Sequence, residues 1–405
     1  MDVQKLFAER IGGQQFGKVS QTFKFTLIDN AKRAFIAAHP ELPVIDMGVG
    51  EPEELAPQPI IETLSKESQI RANRIYPCNG TLPFKEAAAR YISRLLGISI
   101  DPISEIMHCI GAKAALAQIP FAFVNPGDVV LSTSPGYPTL PKVASWLGAE
   151  VLNLPLRRSN GYLPDMEELY RLVQTRKPKL LLLNYPNNPT GALATRKFYS
   201  EIVELAHHKQ FLIVQDAAYA DLVFGSPYES PLQVDGGKDV CLEIYSLSKG
   251  YNMQGYRLGF VVGAAPLIKA FGLVKDNTDN GQFIPIQLAG ATALDSCGSY
   301  LSYNCEKYLR RMQKVSEVLV RAGIPCAPSP GTFFLYVAVP EEFRGKAFSS
   351  AQEFTDYLLV NFGLVTVPWD EAGPHIRLSM TFEVGTEEFP TEDSVVGTLA
   401  KRMGL

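Results

Sequence analysis

No run of about 18 apolar residues occurs in the chain, so a membrane-spanning helix is not expected. Positive charge is not in excess. Lys and Arg number 38 against 42 Asp and Glu, a net charge of −4. Nucleic acid and anionic membrane, which need concentrated basic surface, are therefore not expected partners. The opening residues MDVQKLFAERIGG lack the basic-then-apolar order of a signal peptide, and the expected location is the cytoplasm. The six cysteines (Cys78, Cys109, Cys241, Cys297, Cys305, Cys326) include no C-x-x-C pair, which removes the usual zinc and redox motifs. Of the five histidines, His207 and His208 are neighbours, and adjacent helical side chains do not share a face. No metal site is expected. Internal repeats, low-complexity tracts and charge blocks are also missing.

What is present is a long sequence of short apolar runs. At 405 residues the chain exceeds one usual hydrophobic core, so a large and a small domain are expected. Runs at 129–131, 180–183, 211–214 and 257–262 end in polar or glycine-rich turns, with helical patterns between some of them, such as 198–207. Runs without strict alternation suit strands buried on both faces, and strands alternating with helices predict an α/β fold with a mostly parallel sheet. The last third differs. Residues 306–322 place Leu309, Met312, Val315 and Leu319 at helical spacing before Gly323 and Pro325, and shorter strand-like pieces follow at 332–339, 365–367 and 376–379. This reads as a smaller α+β domain. The expected division is an N-terminal segment 1–45, whose stretch 19–39 packs with the small domain, a large domain 46–294 and a small domain 295–405.

Four local patterns carry chemistry. Tyr245-Ser-Leu-Ser-Lys-Gly250 puts Lys249 just beyond an apolar run, and Gly255-Tyr-Arg-Leu-Gly259 follows. Lysine can form a Schiff base with an aldehyde cofactor. Arginine offers a rigid fork for phosphate oxygens, and Ser246 and Ser248 add hydroxyl donors. Asn184-Tyr-Pro-Asn-Asn-Pro-Thr-Gly191 follows the run 180–183 and, taken alone, is a turn. Phe211-Leu-Ile-Val-Gln-Asp-Ala-Ala-Tyr219 ends a buried strand on Asp216, which must find a partner such as a cationic ring nitrogen, or else cap a helix. Cys109-Ile-Gly-Ala-Lys113 opens a helix with a glycine, leaving backbone N–H groups for a phosphate, and Cys109 there reads as a small buried hydrophobe.

In order, spacing and local structure these four pieces together resemble the class I/II aminotransferases, which are pyridoxal-phosphate (PLP) enzymes of fold type I, over nearly the whole chain. The resemblance implies PLP as cofactor and Lys249 as its covalent anchor and catalytic base. It implies Asp216 as partner of the pyridinium nitrogen, and Asn188 and Tyr219 as partners of the ring hydroxyl. Ser246, Ser248, Arg257 and the Ala112–Lys113 turn correspond to the phosphate cradle, and Tyr137 to the aromatic stacked on the ring. Arg377, in His375-Ile-Arg-Leu-Ser379, corresponds to the grip on the substrate α-carboxylate, with Gly48, Lys113, Tyr137 and Asn188 also near substrate. Tyr76 and Asn280 correspond to positions that reach into a neighbour's site, which implies a homodimer with shared active sites.

Three stretches look most like the LL-diaminopimelate aminotransferases: Asn187-Asn-Pro-Thr-Gly-Ala-Leu-Ala-Thr195, Ser246-Leu-Ser-Lys-Gly-Tyr-Asn-Met253 and Asn277-Thr-Asp-Asn-Gly-Gln-Phe283. That family converts tetrahydrodipicolinate to LL-diaminopimelate with glutamate as donor, in lysine and cell-wall synthesis. Two positions depart from its pattern. Phe23 stands where a family tyrosine contacts substrate, and Tyr76-Pro-Cys-Asn-Gly80 has no acid where many members carry a glutamate facing the distal amino group. Glu51, Glu53 or Glu54 is the expected substitute. The runner-up activity is a general alanine, aspartate or aromatic aminotransferase, and a PLP-dependent lyase ranks lower.

Overall fold

A computed structural model describes residues 2–18 and 24–405, the side chains of Lys24 and Phe25 excepted. Phe23 lies outside the described residues, as does the start of the 19–39 stretch. Seven strands form the main sheet: β1 (Ile106–Cys109), β2 (Val129–Ser134), β3 (Glu150–Pro155), β4 (Leu180–Asn184), β5 (Leu212–Asp216), β6 (Cys241–Ser246) and β7 (Gly259–Val262). Their order is β1-β7-β6-β5-β4-β2-β3, and only β7 runs antiparallel to its neighbours. The central strands are apolar on both sides because both faces are covered. Leu181, Ile213 and Tyr245 pack with Phe198, Tyr199 and Ile202 on one face. Leu182, Val214, Leu242 and Val261 pack with Leu116 and Ile119 of the helix Ala112–Phe123 on the other.

The run at 180–183 becomes β4, extended by Asn184, and that at 211–214 becomes β5, which starts at Leu212 and is extended by Gln215 and Asp216. The run at 257–262 shortens. Arg257 adopts a left-handed conformation (φ +56°), so the strand begins at Gly259. The helical pattern at 198–207 is the middle of the helix Arg196–Lys209, capped by the Thr195 side chain, and His207 and His208 lie exposed in its last turn.

A second core lies around the helix Gly298–Arg321, eight residues longer at its start than the periodicity predicts. It packs on an antiparallel sheet of β8 (Phe334–Ala338), β9 (Val367–Trp369) and β10 (His375–Ser379), in the order β9-β10-β8. The helix Lys24–Ala38 sends Phe35 into a small cluster with Leu359 and Val365. Among the described residues no helix is long and apolar enough to cross a membrane.

The loop after Ile45–Asp46 is tied to this second core at several points. Ile45 and Asp46 pair in parallel with Leu364 and Val365, and the Ser379 amide donates to Met47 O at 2.7 Å. Glu53 is then held by two buried cations. Its carboxylate lies 3.0 Å from Lys307 Nζ and 2.9 Å from Arg311 Nη1, with all three side chains nearly sealed from solvent. Arg311 also donates to the carbonyls of Met380 (2.9 Å) and Phe382 (3.2 Å). Removing one member of a buried ion cluster strands the rest without solvent. Arg311→Ala is therefore expected to cost about 3–5 kcal/mol, read as a lowered urea unfolding midpoint.

Candidate active site

The carboxyl ends of β4, β5 and β6 lie side by side and deliver Asn184, Asp216 and Ser246 to one cavity of about 750 Å³. In open parallel sheets such strand ends are where ligands sit. Asn184 organises the turn that follows. Its Nδ2 donates to Asp216 O at 2.9 Å, and its Oδ1 accepts from the Asn188 amide at 2.9 Å. Asn188 Oδ1 in turn accepts from Arg377 Nη1 at 3.0 Å.

Arg377 rises from β10 and is 2% exposed. Its Nη2 donates to Gly48 O at 2.8 Å, and its guanidinium lies 4.1 Å from the centre of the Phe334 ring. Burial lowers its pKa to about 10, which leaves it cationic at neutral pH. Lys249 sits on the one-turn helix Leu247–Gly250, whose first turn is capped by Ser246 Oγ accepting from the Ser248 amide. Lys249 Nζ donates to Gly50 O at 2.6 Å. Burial, reinforced by Arg377 and Arg257 and opposed by Glu51, brings its pKa down to about 8. An amine so placed gives up its proton near physiological pH, as a general base must.

Asp216 is 4% exposed, and among the described residues its one hydrogen-bond donor is the Ala218 amide. Burial raises its pKa to about 6. Tyr219 is buried edge-on against Phe333 and Phe334, its hydroxyl pushed up by burial. Gly111 (φ +77°) precedes the helix Ala112–Phe123, whose first amides lack intrahelical partners. A side chain at Gly111 would come within 2.7 Å of Arg257 Nη2, so a glycine is what allows the guanidinium to close over the helix start.

The cavity is lined by Gly48, Ala112, Lys113, Tyr137, Asn188, Asp216, Tyr219, Ser246, Ser248, Lys249, Arg257 and Arg377, so these expected residues are brought together. Tyr76 and Asn280 are not in this lining. Tyr76 is 89% exposed and Asn280 lies on an exposed turn, its carbonyl accepting from the Asn79 amide. Cys109 is buried, its thiol pushed up to about 12 by burial, and packs as a small apolar group. The sequence reading missed the roles of Asn184, Gln254, Phe334 and the Gly50 carbonyl, all of which border the site. A polar residue ending an apolar run was a usable signal for Asn184. Phe334 had none, since its stacking under Arg377 depends on the tertiary fold.

The model of the "aminotransferase class I and II" family matches residues 43–390. The chain belongs to this family. It is 45% identical to the LL-diaminopimelate aminotransferase of Methanocaldococcus jannaschii over 99% of its length and 97% of that protein's. Identity to the Methanococcus maripaludis protein of the same name is 42%, over 99% and 97%. Substrate-bound BacF from Bacillus subtilis superposes with a TM-score of 0.84 at 30% identity, covering 95% of each chain. The protein is a PLP-dependent transaminase of fold type I.

The donor set fits that cofactor. PLP presents a basic ring nitrogen, a hydroxyl, an aldehyde and a phosphate. The cavity offers a buried carboxylate short of donors, an Asn–Tyr pair, a primary amine and a helix start faced by an arginine. The electrostatics also have a consequence for the cofactor-free chain. Below about pH 4 Asp216 is protonated whether folded or unfolded, but by about pH 6 the folded chain must ionise it in a desolvated site. Asp216→Asn removes that penalty. In the cofactor-free chain its stability advantage over the parent is expected to grow from pH 4 to pH 6 and then level off, at about 3 kcal/mol at most. Urea unfolding across that pH range checks it.

Proposed function

We propose that the chain is an LL-diaminopimelate aminotransferase, interconverting tetrahydrodipicolinate plus glutamate and LL-diaminopimelate plus 2-oxoglutarate, in the cytoplasm, for lysine and cell-wall synthesis. The observation that carries the reading is near-full-length identity of 45% to a protein of that name. We place the N-terminal segment at 1–45, the large domain at 46–294 and the small domain at 295–405.

The same reading assigns a role to each residue of the cavity. Bound PLP supplies the electron sink that lets a substrate Cα–H bond ionise. Asp216 holds the ring nitrogen protonated, because a buried carboxylate short of donors is strongly drawn to a cation. Asn188 and Tyr219 would hold the ring hydroxyl, and Tyr137 would stack on the ring. Ser246, Ser248, Arg257 and the Ala112–Lys113 helix start hold the phosphate. Arg377, its fork aimed by Gly48 O and Asn188 Oδ1, grips the substrate α-carboxylate and so fixes the direction of the Cα–H bond. Lys249 Nζ takes that proton and returns it when the second substrate reacts, and its pKa of about 8 suits both directions.

The test is a set of half-reactions. The PLP form is mixed separately with LL-diaminopimelate, glutamate, aspartate, alanine and phenylalanine while the cofactor's long-wavelength absorbance is followed. Rapid loss with LL-diaminopimelate and glutamate alone is expected. Conversion of the others with LL-diaminopimelate inert would make the protein a general aminotransferase. The exposed Tyr76 and the exposed turn at Asn280 also lead us to place a partner subunit's cavity against them, in a two-fold homodimer with shared sites. Sedimentation velocity should then give a dimer, and a fully active monomer would defeat the arrangement.

A further inference from the structure

The proposed substrate carries a second ammonium at its far end, and this chain has no acid in Tyr76-Pro-Cys-Asn-Gly80 to meet it. Of the acids after Gly50, two are already committed. Glu53 is sealed between Lys307 and Arg311. Glu54 accepts from Tyr300 Oη (3.0 Å) and Tyr303 Oη (2.8 Å) and ion-pairs with Lys307 (3.3 Å). The cavity wall itself holds four acids, and three of these are also occupied. Asp29 pairs with Arg33 at 2.7 Å. Asp46 pairs with Lys32 at 2.8 Å and accepts from the Gly48 amide at 2.9 Å. Asp216 faces the cofactor ring in the reading above.

Glu51 is different. Among the described residues it has neither a hydrogen bond nor an ion pair, it is solvent-exposed, and it lines the cavity. It follows directly on Gly50, whose carbonyl holds Lys249, and its charge is felt at that amine. Resting on the substrate reading above, we infer that Glu51 is the specificity residue that receives the distal ammonium of LL-diaminopimelate. A carboxylate at the cavity wall gains a charge-assisted hydrogen bond only with a substrate that carries that ammonium. Glutamate ends in a second carboxylate and gains nothing from it. The backbone that precedes it is fixed by the Gly48 carbonyl, which accepts from Arg377, and by the Gly50 carbonyl, which accepts from Lys249.

The test compares LL-diaminopimelate with glutamate in the parent, Glu51→Gln and Glu51→Asp holoenzymes. Any change at Lys249 caused by the lost charge affects both half-reactions and cancels in their ratio. Glu51→Gln is expected to lower the kcat/KM ratio of LL-diaminopimelate to glutamate by about tenfold or more, mostly through KM, with Glu51→Asp retaining a larger part of it. In the Lys249→Ala background, where turnover does not intrude, the calorimetric affinity ratio should fall in parallel. An unchanged ratio in an active, folded Glu51→Gln enzyme overturns the assignment and leaves the substrate reading standing. A parent enzyme inert to LL-diaminopimelate overturns both, and it does so without reference to the variant.

Discussion

The site depends on keeping two desolvated cations, Lys249 and Arg377, on the wall of one cavity. Desolvation pulls both pKa values down, to about 8 and about 10. Neutral groups meet both: the Gly50 carbonyl meets Lys249, and the Gly48 carbonyl, the Asn188 amide oxygen and the Phe334 ring meet Arg377. These contacts orient the two cations. Both pKa values fall by a similar amount, so the higher ordinary pKa of a guanidinium is what keeps Arg377 charged where Lys249 gives up its proton.

That arrangement explains why the short loop 47–50 is fastened so firmly. Both carbonyls come from it, so an error in its position misplaces base and anchor together. Its amides and carbonyls are bound to β10 and to the strand Leu364–Val365, and Thr381 Oγ1 donates to Val49 O at 2.8 Å. Gly50 passes so close to Phe334 that a Cβ would lie 2.9 Å from the ring. Further along, Glu53 is locked by Lys307 and Arg311, far more strongly than a solvent-facing loop would require. The long helix Gly298–Arg321 thus holds Glu53, three residues along the chain from the carbonyl that meets Lys249.

Much of this was legible beforehand, because the cofactor side of the cavity is built from local patterns. A fully buried strand reads as an apolar run, and the polar residue that ends it (Asn184, Asp216, Ser246) stands at the sheet's carboxyl edge. Two strands escaped notice for physical reasons. β3 is an edge strand with mixed exposure and carries Asn153 and Pro155. β1 has only four residues, one of them His108, which burial holds neutral with a pKa near about 3. The substrate side was less legible, because its groups come from distant segments. Glu51, Glu53 and Glu54 are equivalent in sequence, and only the fold shows that the last two are bound by residues some 250 positions away.

A raised carboxylate pKa does not by itself identify the working acid. Burial lifts Asp221 to about 6 and Glu243 to about 7, much as it lifts Asp216. Glu243, on β6 itself, accepts hydroxyls from Ser230, Tyr228 and Tyr245, and Asp221 accepts from Tyr91 at 2.7 Å. Neither of these carboxylates borders the cavity, and the hydroxyls they accept come from within the fold. Asp216 has a single backbone donor and an opening toward the cavity. Three similar desolvation costs therefore have different outcomes. Two are offset within the fold, and the third is left for a cation that the fold does not supply. The opening of Asp216 toward the cavity, more than its pKa, is what marks it as a ligand-facing group.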